Sequence, residues 1–78
     1  MNYRERIVRD PKIAGGELIL RGTRVTLRTV LASLSEGDTV EDIVKAFPSL
    51  TAEDVRAAIA FAADSARDDI PAPAALPF

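Results

Sequence analysis

Hydrophobic residues recur with a helical spacing in three successive segments of the chain. Each segment has four apolar positions at i, i+3, i+4 and i+7, a spacing that places their side chains on one face of an α-helix. The pattern predicts helices over about residues 27–36, 39–47 and 51–68. The predicted inward positions are Leu27, Val30, Leu31 and Leu34, then Val40, Ile43, Val44 and Phe47, then Val55, Ala58, Ile59 and Ala62.

Polar residues and helix-ending residues flank these segments. Thr26 stands where an N-cap is needed, and Gly37 follows the first segment at a position that favours positive φ. Pro48 is expected to end the second helix, because its ring disfavours helical geometry at the preceding residue. Two capping boxes are also predicted, with Asp in place of the usual Glu: Thr39 with Asp42, and Thr51 with Asp54.

The residues before Thr26 alternate short apolar runs with turn signals. We expect a β-hairpin within about residues 7–26, with Leu18–Leu20 opposite Arg24–Thr26 across the turn at Gly22. Two strands alone are marginally stable in water. The hairpin is therefore expected to pack on the helices or to pair with another chain.

The chain ends in a segment that has no periodic pattern. Residues 69–78 contain three prolines, so we expect an extended tail that orders only on a partner. Residues 1–68 are predicted to form one domain, which accords with a total length of 78 residues.

Composition narrows the classes of function. The chain has no cysteine and no histidine, which excludes disulfides, ordinary zinc sites and histidine bases. We expect no catalytic residue, no metal ion and no cofactor. A domain this small usually needs further stabilisation, so we expect a homodimer. No apolar run is long enough to span a membrane and no signal-peptide pattern opens the chain, which predicts a cytoplasmic protein without membrane contact.

The charge is unevenly distributed along the chain. Up to Val30 there are seven basic and three acidic residues, whereas from Leu31 onward there are three basic and nine acidic residues. The first part is suited to phosphate groups, and the second part would repel them. A solvated surface with uneven charge is the alternative interpretation.

The second and third predicted helices are joined by a very short connection, as in a helix-turn-helix unit. The third helix nevertheless begins with Glu53 and Asp54, which would repel DNA phosphates. If DNA is bound, Arg21, Arg24 and Arg28 are the expected phosphate contacts. Alternatively, Arg24 forms an ion pair with an acid of the helical part and holds the two parts together.

Three motifs carry a resemblance to a known family. The segments are 10–16 (DPKIAGG), 21–25 (RGTRV) and 47–55 (FPSLTAEDV). Together with the helical spacing between them, they resemble the family called domain of unknown function 433 over roughly residues 7–66. The resemblance implies a mainly α fold, namely a homeodomain-like three-helix domain of the helix-turn-helix type with a short N-terminal β-hairpin.

The resemblance also implies a function. It indicates a VapB-type antitoxin-like protein, which binds and neutralises a PIN-like ribonuclease toxin and is also a candidate to bind operator DNA. The alternatives are a dimeric DNA-binding repressor and a simple dimerisation module without a toxin. The residues that we expect to contact a protein partner lie in or next to the tail: Arg67, Ile70, Leu76 and Phe78.

Overall fold

The computed structural model describes residues 2–67. Two short antiparallel strands, β1 (Ile7–Arg9) and β2 (Leu18–Leu20), precede three helices. The helices are α1 (Leu27–Ser35), α2 (Val40–Ala46) and α3 (Ala52–Ser65). Short 3-10 turns lie before β1 and between the strands. The expected mainly α fold with a short N-terminal hairpin is confirmed.

The pairing within the hairpin differs from the predicted one. β2 pairs with β1 in the register Ile7–Leu20, Val8–Ile19 and Arg9–Leu18. Opposite Arg24–Thr26 it makes a single bridge, from Ile19 to Thr26, and the Leu20 N–H donates to the Val25 carbonyl at 3.0 Å.

The reason for the different pairing lies in the turn and in the helix that follows it. The Thr23 N–H and hydroxyl both donate to the Leu20 carbonyl, at 3.0 and 2.7 Å, and the Thr23 hydroxyl oxygen accepts from the Val25 N–H at 3.1 Å. Thr26 then caps α1, since its side chain accepts from the Thr29 N–H. The chain thus enters a helix before a second ladder can extend.

The helix ends are formed by the residues that the pattern indicated. Gly37 has a φ of +101°, and its N–H donates to the Leu34 carbonyl while the Asp38 N–H reaches back to the Ser33 carbonyl. These two bonds satisfy carbonyls that the end of α1 would otherwise leave free. Both capping boxes are complete: Thr39 with Asp42 and Thr51 with Asp54.

The core lies between the hairpin and the three helices. The first two helices bury the predicted face at Leu27, Val30 and Ile43. On α3 the predicted positions Val55 and Ala58 are buried, but the buried face is rotated towards Asp54 and Ala57, and Ile59 is 43% exposed. The rest of the buried apolar cluster consists of Ile7, Leu20 and Leu50.

The rotation of α3 follows from what packs beside it. The N-terminal segment lies along this helix, and the Tyr3 ring meets the Phe61 ring edge-on with centroids 6.4 Å apart. This contact draws the Phe61 side of α3 inward and leaves Ile59 outward. No helix within residues 2–67 is long and apolar enough to cross a membrane.

Candidate functional site

Three exposed arginines line one groove on the hairpin. Arg9 comes from the end of β1, and Arg21 and Arg24 flank the turn that follows β2. We call this the arginine groove; it has a volume of about 760 Å³ and a partly apolar floor that includes Ile19 and Val25, and one acid, Asp10, also lines it. Guanidinium groups above an open apolar floor are suited to anions such as phosphate.

The local backbone sets the spacing of these arginines. Gly22 has a φ of +79°, a conformation that glycine adopts without the strain that a Cβ would bring. The turn places Arg21 and Arg24 on the two sides of Thr23, whose side chain is held by hydrogen bonds to the backbone. Arg9 is held differently, because its Nη1 donates to the Gly16 carbonyl at 2.9 Å.

Arg28 does not share this groove. It lies on α1, where its Nη2 is 3.1 Å from Oε2 of Glu17, and both residues line a different groove between β2 and α1. The structure thus brings together Arg21 and Arg24 of the three predicted phosphate contacts. It adds Arg9, which the sequence pattern did not distinguish from an ordinary solvated charge.

The expected link between the basic and acidic parts of the chain is made by Arg6. Its Nη1 donates to Asp54 Oδ1 at 3.0 Å, and its Nη2 pairs with Glu53 at 2.5 Å. Within residues 2–67, Arg24 has no acidic partner, so the ion-pair alternative proposed for it applies to Arg6 instead. The acids that open α3 are therefore partly neutralised from within the protein.

A second polar cluster ties the N-terminal segment to the end of α3. The Tyr3 hydroxyl donates to Oδ2 of Asp64, and Arg4 Nη2 lies 3.2 Å from the same oxygen. Arg67 Nη1 reaches the other oxygen at 3.5 Å. The hydrogen bond from Tyr3, and then the one from Arg4, hold the pKa of the Asp64 carboxyl below its ordinary value.

Replacing Tyr3 with phenylalanine is expected to raise the pKa of Asp64, because the largest cause of its depression is removed. Because the pKa of Asp64 is lower in the folded protein than in the unfolded chain, the ionised carboxylate stabilises the fold, and it does so fully above about pH 4. The stabilisation is lost as the pH falls through the lowered pKa. A carboxyl-carbon NMR titration of the wild type and Tyr3→Phe measures the change.

Asp42 supplies the internal control for that titration. Its pKa is also lowered, chiefly by the Thr39 backbone N–H, which Tyr3 does not touch. The Asp42 curve is therefore expected to stay in place in Tyr3→Phe. An unmoved Asp64 curve would show that the Tyr3 hydroxyl does not stabilise the carboxylate.

Of the predicted partner-binding residues, one lies within the described part of the chain and three lie outside it. Arg67 is described and lies in the turn after α3, with its side chain 82% exposed. Ile70, Leu76 and Phe78 lie outside the described residues. Among residues 2–67 no group of three or more acidic side chains is arranged to hold a metal ion.

Comparison with known proteins gives three matches of different kinds. A family model described as "Protein of unknown function (DUF433)" matches residues 7–62. The uncharacterized protein y4eO of Sinorhizobium fredii is 44% identical over 59 residues, which cover 76% of this chain and 27% of that protein. The crystal structure of a DUF433 member protein from Anabaena variabilis superimposes with a TM-score of 0.70 at 29% identity.

The matches cover different shares of this chain and of the proteins compared with it. The chain spans about a quarter of the Sinorhizobium protein, and the Anabaena match covers 80% of this chain and 61% of the other. The family match itself includes both strands and most of α3. On the agreement of sequence and fold, this chain belongs to the DUF433 family.

Proposed function

We propose that this chain is an antitoxin-like regulatory protein of a type II toxin–antitoxin pair, which binds and neutralises a PIN-like ribonuclease toxin. The proposal rests on the three sequence motifs and on the position of Arg67 at the end of α3. It places the pair in the cytoplasm and assigns no reaction, metal ion or cofactor to this chain.

The exposure of Arg67 is the observation that supports the partner-binding proposal. Its guanidinium is largely exposed and, among residues 2–67, makes one long contact, at 3.5 Å, with Asp64. Such a contact is worth little in water, so the group is available to an acidic surface. Ile70, Leu76 and Phe78 follow it in the sequence and supply the apolar anchors that a stable interface needs.

Co-expression with the product of the adjacent reading frame tests this proposal. We expect the untagged chain to co-purify with the tagged neighbour, and light scattering after size exclusion to give the mass of a hetero-complex. Arg67→Ala is expected to weaken the complex, whereas Arg56→Ala, which removes another exposed cation, on α3 itself, leaves it intact. A homodimer that never captures the neighbour would refute the toxin-binding function.

Operator DNA is the second proposed partner, and the arginine groove favours it. Because Glu53 and Asp54 open α3, the helix in the recognition position offers phosphate little attraction. Within the described residues, Arg21 and Arg24 are not tied to any acid and lie on the same face as Arg9. The hairpin, rather than α3, would then contact the DNA backbone, as in a dimeric repressor.

Replacing Arg21 and Arg24 together with alanine is expected to weaken DNA binding and to flatten its salt dependence. Each lost phosphate contact lowers the slope of log affinity against log salt by about 0.9. Titrations of an operator fragment at several salt concentrations measure that slope. Arg56→Ala is the matched control, since Arg56 is an exposed cation on α3.

The outcome separates the two surfaces. A change of slope in Arg56→Ala, with none in the hairpin variant, would assign the DNA contact to α3. If neither the toxin nor DNA binds and the mass is that of two copies, the simple dimerisation module is the remaining alternative.

A further inference from the structure

An apolar groove runs between β2 and α1. We call it the Leu18 groove; its apolar walls are Leu18, Leu27, Leu31 and Ala32, and it encloses about 540 Å³. Arg9 and Arg28 stand at its rim, with Glu17 paired to Arg28. A groove of this composition is suited to an apolar segment that also carries negative charge.

The end of α3 lies beside this groove. Leu18 also lines a smaller cavity together with Phe61, Asp64 and Ser65, all from the last turns of α3. Leu18 therefore lines both the groove and the cavity at the last turns of α3. Arg67, the last described residue, follows two positions after Ser65 of this cavity.

The residues that follow Arg67 match the groove in chemistry and length. Asp68 and Asp69 supply negative charge for Arg9 and Arg28, and apolar side chains follow at Ile70, Leu76 and Phe78. Residues 68–78 lie outside the described part of the chain. A proline-rich segment of this length reaches about 34 Å at about 3.1 Å per residue, ample to follow α1. Its prolines also lower the entropy lost on docking.

We propose that residues 68–78 dock in the Leu18 groove of their own chain. The apolar residues of the segment cover Leu27 and Leu31, and its acids face the arginines of the rim. The docking does not depend on a toxin or on DNA. If the proposed toxin binds Ile70, Leu76 and Phe78, the toxin and the groove compete for the same three side chains. This inference about the toxin rests on the proposed function.

A single spin label tests this docking in the full chain. The chain has no cysteine, so Ala75→Cys provides one attachment site for a nitroxide in the segment and leaves the groove unaltered. We expect the label to broaden the methyl NMR signals of Leu18, Leu27 and Leu31. The methyl groups of Val40 and Val44, which line a different cavity, serve as the control and are expected to lose less intensity than those of the groove.

A second variant checks that the apolar residues of the segment cause the effect. Adding Leu76→Ser and Phe78→Ser to the labelled chain is expected to restore the groove signals. Equal loss of signal at the groove and at α2, or a loss that the serines leave unchanged, would overturn the proposal.

Mixing labelled and isotope-enriched copies identifies the source of the segment. When the nitroxide is on an unenriched copy and the methyl signals come from an unlabelled copy, we expect no broadening. Broadening in that mixture would show that the groove receives the segment of a second copy, which contradicts docking within one chain.

Discussion

Replacing Asp54 with alanine is expected to lower the free energy of unfolding by about 2–3 kcal/mol, since it removes a helix cap and a charged hydrogen bond together. Asp54 is 6% exposed. Its Oδ2 accepts from the Thr51 N–H at 2.9 Å, and its Oδ1 accepts from Arg6 at 3.0 Å. Urea denaturation measures the loss.

The other capping box of the protein provides the matched control. Asp42 makes the same reciprocal bonds with Thr39, but it is exposed and its cap involves no arginine. Asp42→Ala is therefore expected to destabilise the protein less than Asp54→Ala. The difference between the two variants reports the combined contribution of the Arg6 contact and of burial at Asp54, and equal losses would show that neither adds to the cap.

The link from Arg6 to α3 also explains how a short hairpin is held on a small helical domain. β1 has three residues and one paired neighbour, which is too little for independent stability. Arg6, just before β1, forms a hydrogen bond with Asp54 at the beginning of α3. The Tyr3 and Arg4 side chains form hydrogen bonds with Asp64 near the end of α3. The N-terminal segment is thereby fastened along the helix at both ends.

Replacing Leu20 with alanine is expected to destabilise the protein by about 3 kcal/mol, because a fully buried leucine leaves a cavity when it is truncated. Leu20 is 0% exposed and joins the hairpin to the core. For a domain of this size the total stability is about 4–12 kcal/mol, so the variant loses a large share of it. Thermal and urea unfolding both measure the change.

Ile59→Ala is the control for that experiment. Its side chain is 43% exposed, so its truncation is expected to cost less than about 1 kcal/mol. A cost as large as that of Leu20→Ala would contradict its exposure in the single chain. It would then indicate that a second copy covers this face of α3, and the apparent stability would rise with protein concentration.

The helical part of the fold was predictable because its signals are local. Thr39 and Asp42 are three residues apart, and a capping box needs nothing beyond that turn of chain. Gly37 and Gly22 likewise act within their own turns, at φ values of +101° and +79°. The face of α3 was predicted wrongly at Ile59, because which side is buried depends on what packs there.

The candidate site was predictable only in part, for the same reason. Arg21 and Arg24 lie within four residues of each other, so a shared turn already implies a shared face. Arg9 joins them through the pairing of β1 with β2, which no local pattern indicated. Arg28 was expected with them, yet the start of α1 turns it toward Glu17.

The sequence by itself determined the elements of this protein: three capped helices, a hairpin region with a glycine turn, and a basic N-terminal part followed by an acidic one. Only the tertiary structure decided which strands pair, which side of α3 is buried, and that Arg6 rather than Arg24 joins the two parts. The physical reason is the distance along the chain. Propensity, capping and turn geometry act over a few residues, whereas the ion pair of Arg6 with Asp54 joins groups 48 residues apart and exists only after packing brings them together.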